Sequence, residues 1–329
     1  MFTKSSKSRS YSRLRLMGRV QAPLFALALL ASGGICIQPV HANDGTPATK
    51  PTMAQVLAET TSGDWRRPDP ENTLYLDIPG GRVVIELAPG FAPEHVANIR
   101  TLARAGYWND LAIIRVQDNY VVQWGDPDAE DAARKRSMGE ARTTLPAEFE
   151  RDAQGVAFTR IDSRDPYATE VGFVDGFPAA RDPARDKVWM THCYGLVGSG
   201  RDNAADSSNA AELYVVIGHA PRHLDRNITS VGRVLQGMSL LSALPRGPEP
   251  MGFFTDPAQR IAITSIRLAA DMPEAERVPL EVMRTDTPAF ARLVQARRER
   301  HEAWFVDPVG RIELCNVPIP VRIAATSEP

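Results

Sequence analysis

Arg115 and Gln123 are the residues whose types and spacing lend themselves most directly to chemistry. They stand eight positions apart in the run Ile113-Ile114-Arg115-Val116-Gln117-Asp118-Asn119-Tyr120-Val121-Val122-Gln123-Trp124-Gly125-Asp126, with Tyr120 between them. A guanidinium presents several N–H donors in a fixed plane and keeps its charge, so it can stabilise a displaced carbonyl or lone pair without moving a proton. A strand arginine is also an ordinary solvated edge residue, and the pair alone does not decide a function. Other motifs fail on spacing. Gly198-Ser199-Gly200 has Val197 where a nucleophile elbow needs glycine. His219 and His223 are separated by Pro221, which breaks the helix that would align them, and no cysteine pair or glutamate completes a zinc set. No phosphate loop or dinucleotide fingerprint occurs, so neither a metal nor a cofactor is expected.

The elements that would position these residues are mostly short strands. Thr73 to Ile78 and Arg82 to Leu87 alternate around Pro79-Gly80-Gly81 and predict a β-hairpin with Leu74, Leu76, Ile78, Val83, Ile85 and Leu87 facing inward. Pro93 opens a helix carrying Val96, Ile99, Leu102 and Ala103, and Gly106 closes it. Further strands are expected at Ala112–Val116, Tyr120–Trp124, Leu213–Ile217, Ile228–Val234 and Arg260–Leu268, which together point to a closed or nearly closed β structure. Between Asp126 and Tyr194 the pattern is weak and reads as an elaborated surface region. Asp286-Thr287-Pro288 starts a second helix whose stripe would hold Phe290, Leu293, Val294 and Trp304, and Arg311 to Ile323 reads as a proline-broken strand.

The stretch around Arg115 resembles the segment of cyclophilin-type peptidyl-prolyl isomerases in which Phe-His-Arg is followed by a Phe and then Gln-Gly-Gly-Asp. The hairpin, the helix with Gly106-Tyr107 after it, Ser208-Asn209-Ala210-Ala211-Glu212-Leu213-Tyr214, His223-Leu224-Asp225, Ser230-Val231-Gly232-Arg233-Val234 and Gly237-Met238 follow in that family's order. The resemblance covers about 73 to 268. It implies a mainly β, cyclophilin-like eight-stranded antiparallel β-barrel with two helices, over residues 73–270, with a large loop insertion at about 128–190. Residues 271–329 are then a C-terminal extension with one helix and a strand, and 43–72 a partly mobile leader or linker.

By the same resemblance Arg115 and Gln123 match the catalytic arginine and the site glutamine. Tyr120, Glu212, Tyr214, His223, Leu224 and Ser199 fall at or near substrate-binding positions. Ile114 stands where many members have histidine, Glu212 where they have a second glutamine, Tyr214 where they have phenylalanine, Ile228 where a histidine or tyrosine is common, and His223 where cyclosporin-sensitive members have tryptophan. Glu212 cannot donate as an amide does and could pair with Arg115, restraining it.

The implied activity is prolyl isomerisation. Rotation about an X-Pro bond meets a barrier of about 18 to 20 kcal/mol because the amide loses resonance as it twists. The pyramidal nitrogen and displaced oxygen of the twisted state can both use a guanidinium, with no nucleophile or metal. An acceleration of about 10⁵ needs roughly 7 kcal/mol, whereas one charge-assisted hydrogen bond nets about 1.5 to 3 kcal/mol, so a dry pocket must supply the rest. The expected partners are proline-containing polypeptides. The alternative is a catalytically weak binding or chaperone module that uses the same groove.

Residues 1–42 read as a signal peptide, with Lys4, Lys7, Arg9, Arg13, Arg15 and Arg19 ahead of an apolar run from Ala22 to Ile37 and Val40-His41-Ala42 as processing site. A periplasmic or secreted protein without stable membrane association follows. Cleavage would leave 287 residues with 32 basic and 40 acidic side chains, which argues against nucleic acid as a partner. It would also leave two cysteines, Cys193 and Cys315, whose separation of 122 residues does not show whether they meet.

Overall fold

A computed structural model describes residues 50–324; the signal-peptide reading lies outside them. The central sheet has nine antiparallel segments, in the order Ile261–Ala262, Ala112–Val116, Val121–Gly125, Leu213–Val216, Leu196–Ser199, Ser230–Gln236, Gly81–Leu87, Thr73–Ile78 and Ser265–Leu268. The first and last segments are two ends of one run: Ile261 pairs with Ile113 and Ile266 with Leu76. At the break, Ile263 N–H donates to Leu111 O at 2.8 Å and Thr264 N–H to Asp77 O at 2.9 Å. The sheet therefore curls until its edges share a strand, and eight strand lines enclose a core of Leu76, Ile85, Val122, Trp124, Val197 and Val215 with their neighbours.

Four α-helices are described: α1 (Met53–Ala58), α2 (Pro93–Arg104), α3 (Met238–Ser242) and α4 (Pro288–Glu299). Helix α2 buries Val96, Ile99, Leu102 and Ala103 on the barrel core. It ends at Gly106, which sits at φ +64°, where Tyr107 N–H reaches Leu102 O and Gly106 N–H reaches Ala103 O, satisfying two of the last carbonyls.

The region read from sequence as surface elaboration is instead a second antiparallel sheet, ordered Arg151–Asp152, Lys187–Met190, Phe177–Asp182, Glu170–Val174 and Thr159–Ile161. One face, with Val174, Phe177, Ala179, Val188 and Met190, packs on the barrel strands through Val121, Leu196, Tyr214 and Val216. The opposite face, with Ile161, Val171, Phe173, Ala180 and Trp189, packs on α1 and α4 through Val56, Phe290, Leu293 and Val294. The layers are thus barrel, sheet and helices.

Two further expectations need correction. Residues 50–72, read as a partly mobile leader, contribute α1 and the strand Trp65–Arg66, whose partner is Leu280–Met283 in a three-stranded sheet completed by Val321–Ile323. The C-terminal region therefore holds two strands as well as α4. Trp304 is not on the helix stripe: α4 stops at Glu299, Arg300 takes a left-handed conformation, and Trp304 is 82% exposed.

Candidate active site

Four adjacent strands bring the sequence-selected residues into a row. Arg115 on Ala112–Val116 pairs with Gln123 on Val121–Gly125, Gln123 with Tyr214, and Tyr214 with Gly198. Ile113 and Val116 both face the core although they are three residues apart, which strict alternation forbids. A register shift between Ile113 and Arg115 resolves this and turns the guanidinium to the outer face.

Arg115 is buried and fixed at three points. Its Nε–H donates to Met251 O at 2.7 Å, Nη1 to Gln123 Oε1 at 3.0 Å, and Nη2 to Gln117 Oε1. Phe253 and Tyr120 lie against the guanidinium, with ring centroids 4.8 and 5.5 Å from Cζ. Of its five N–H groups, two keep no partner among the described residues. Burial pushes its pKa below the ordinary arginine value, opposed by Tyr120 and Glu212.

Glu212 does not seize the arginine. Gln123 stands between them, accepting from Arg115 through its oxygen and donating to Glu212 Oε1 through Nε2. Burial raises the pKa of the Glu212 carboxyl, while the Gln123 bond and the Arg115 charge act the other way. Glu212 also lines a neighbouring cavity of about 600 Å³, with Gly200, Asp126, Arg136 and Arg201 in its wall.

Tyr214 is enclosed under the inserted sheet, and its ring lies over Gly198, where an added Cβ would fall 2.3 Å from the phenol. Its hydroxyl is 2.9 Å from His192 Nε2, and His192 Nδ1 is 3.0 Å from Asp225 Oδ1. Asp225 accepts in turn from Arg222 Nε at 2.6 Å, and Arg222 reaches Asp165 of the insertion at 2.6 and 3.2 Å. Burial alone would raise the Asp225 pKa, but the His192 bond and the Arg222 charge hold it below the ordinary carboxylate value. Sequence reasoning missed His192, Arg222 and Asp165, which no spacing connects, and also Met251 and Phe253.

The remaining sequence-selected residues are less central. Leu224 is half-buried and His223 exposed, both on the 3₁₀ turn Arg222–Leu224. Ser199 is corrected: its hydroxyl is fully buried and shared with Ser208 at 2.6 Å, and Gly200 takes the position beside Glu212. The alternation of the strand turns one residue inward and leaves its neighbour facing the site.

A family model described as cyclophilin type peptidyl-prolyl cis-trans isomerase/CLD matches residues 73–268. A probable peptidyl-prolyl cis-trans isomerase of Brucella suis is 29% identical over 187 residues, covering 55% of this chain and 75% of that relative. The peptidyl-prolyl cis-trans isomerase-like 1 protein of Gibberella zeae is 23% identical over 198 residues, 60% of this chain and 95% of its own. Among solved structures, cyclophilin AquaCyp293 from Hirschia baltica is similar with a TM-score of 0.63 and 27% identity, over 83% of this chain and 97% of that one.

Proposed function

The chain belongs to the cyclophilin-type peptidyl-prolyl cis-trans isomerases, and from that premise we propose that Arg115 carries the rate enhancement, acting on proline-containing segments of exported polypeptides as they fold. The observation behind this reading is the arginine itself, locked by Met251, Gln123 and Gln117 with two N–H groups left over. A donor array fixed in advance needs no reorganisation when the prolyl amide twists, so its bonds favour the transition state over the ground state. Tyr120 and Phe253, whose rings lie against the guanidinium, are walls available to the proline ring, with Leu224 the further wall that the resemblance implies, and Gln123 keeps the guanidinium plane in place.

Arg115→Ala should lower kcat/KM at least tenfold in a protease-coupled isomerisation assay on residues 43–329, measured well below a melting temperature that falls by a few degrees as Met251, Gln123 and Gln117 lose their partner; equal activity in the variant would remove Arg115 from the mechanism. Arg115→Lys should rescue poorly, because a point charge cannot bond Met251, Gln123 and substrate in one plane. The enclosure of Tyr214 favours a second reading, a weakly catalytic binding module. That reading predicts that Arg115→Ala changes peptide affinity and kcat/KM by the same small factor.

Export is part of the proposal. The basic and apolar pattern of residues 1–42 supports it, as does the pairing of Cys193 with Cys315, since disulfides persist in oxidising compartments. A mature chain beginning at Asn43 in the periplasmic fraction or the medium is expected by mass spectrometry; a full-length chain in the cytosol would refute it.

A further inference from the structure

A second cavity, of about 210 Å³, lies where the barrel, the inserted sheet and the C-terminal segment meet. Leu196 and Val234 come from the barrel, Met190 from the insertion, and Leu314, Val317 and Ile319 from the C-terminal segment, with Cys193 and Cys315 in the wall. Half-exposed Tyr194 stands at its rim. No carboxylate lines it among the described residues.

One cation does. Arg233 pairs across the sheet with Leu196 and Glu86, and its side chain is only 12% exposed. Its Nε and Nη2 are closed off from water and have no hydrogen-bond partner, so Nη1 is the guanidinium nitrogen that stays open to the cavity. The nearest acidic oxygen, Glu86 Oε2, is 3.9 Å away, and both oxygens of that carboxylate already accept from Arg66, at 2.5 and 3.0 Å. Two guanidinium groups therefore share one carboxylate, which leaves a surplus positive charge beside an aliphatic hollow. Burial lowers the Arg233 pKa to about 10, so the group stays charged at neutral pH. Glu86 and the Phe177 ring, whose centroid lies 5.9 Å from Cζ, compensate this charge only in part; an undercompensated buried charge is costly, and water alone is poorly held by aliphatic walls.

We infer that this cavity is a binding site for a small organic carboxylate with a short apolar tail, its head on Arg233 and its tail against Leu196, Val234, Leu314 and Val317. A compact polyanion such as phosphate lacks the additional donors it would need there, and a neutral amide cannot cancel the charge. The site is separate from Arg115 and does not rest on the isomerase reading.

Thermal unfolding of the purified chain tests it, with butyrate, butyramide, phosphate and sodium chloride as probes at equal ionic strength. At ten times its dissociation constant, butyrate should raise Tm by about 3 °C, and the other three probes should not. Arg233→Met should abolish the shift while isomerase activity is retained. Val317→Phe, which narrows the hollow and keeps the charge, should weaken butyrate at least tenfold and serves if Arg233→Met does not fold. Equal shifts with butyrate and chloride, no shift with butyrate, or an undiminished shift in either variant would overturn the inference.

Discussion

At the residue scale the site is a relay, and its members are coupled through shared bonds. Glu212 holds Gln123, and Gln123 holds Arg115, so a negative charge two side chains away drains potential from the Arg115 guanidinium. Glu212→Gln should therefore raise kcat/KM roughly threefold, about 0.7 kcal/mol. The pH dependence has a definite sign. Because burial raises the Glu212 pKa, protonation is easier in the fold than in the unfolded chain, so activity and stability both gain as pH falls through that raised value and lose as it rises. A pH profile of kcat/KM checks this, and Glu212→Gln should flatten it. Tyr214 gives a second case: its ring is placed by His192, which Asp225 orients. His192→Gln should lower kcat/KM more in the native background than in Tyr214→Phe, with a coupling near 1 kcal/mol in a double-mutant cycle. Strictly additive effects would mean that the hydroxyl carries no positioning.

Elements show where sequence reading works. The N-terminus of α2 has no side-chain cap from Ala92, and Glu148 supplies one from the insertion, accepting from Glu94 N at 3.0 Å and His95 N at 2.9 Å while meeting His95 Nδ1 at 2.7 Å. Burial would raise this carboxyl's pKa, but His95 and the two amides keep it below the usual value. Glu148→Ala should cost about 2 kcal/mol of unfolding free energy in urea. A loss below about 0.5 kcal/mol would show that water replaces the cap. The helix itself was legible because one face meets the core and the other meets solvent, and so was the first hairpin, whose Leu74, Leu76 and Ile78 share a face. The strands Glu170–Val174 and Lys187–Met190 were not. Both of their faces are covered, by the barrel and by α1 and α4, so no polar alternation marks them. Arg115 and Gln123 were found because one short run carries both and that run resembles a family segment, whereas His192 meets Tyr214 and Asp225 only through tertiary structure. Trp304 was misplaced because helical spacing continues in the sequence past the residue where the backbone turns left-handed.

The whole molecule is tied together by the chain ends and the insertion. Cys193 follows the last inserted strand and bonds Cys315 across 122 residues, closing a long loop. In the loop-entropy account such a bond contributes about 4 to 5 kcal/mol, and measured losses fall around 2 to 5. The noncovalent seam is at least as large: Phe290, Leu293, Leu314 and Val317 are buried against Phe173, Trp189 and Val56, and each contributes about 1.5 to 3 kcal/mol before chain entropy is subtracted. The strand pairing of Trp65–Arg66 with Leu280–Met283 adds backbone bonds from the opposite end of the chain. These magnitudes separate two outcomes of one experiment. Limited proteolysis after about Ala270, followed by reduction and size exclusion, should leave the C-terminal fragment bound to the barrel, because the shared core outlasts the covalent link. Reduction or Cys193→Ala should lower Tm and speed cleavage without releasing the fragment. Release on reduction alone would mean that the disulfide, and not the packing of α4 on the inserted sheet, holds the layers together.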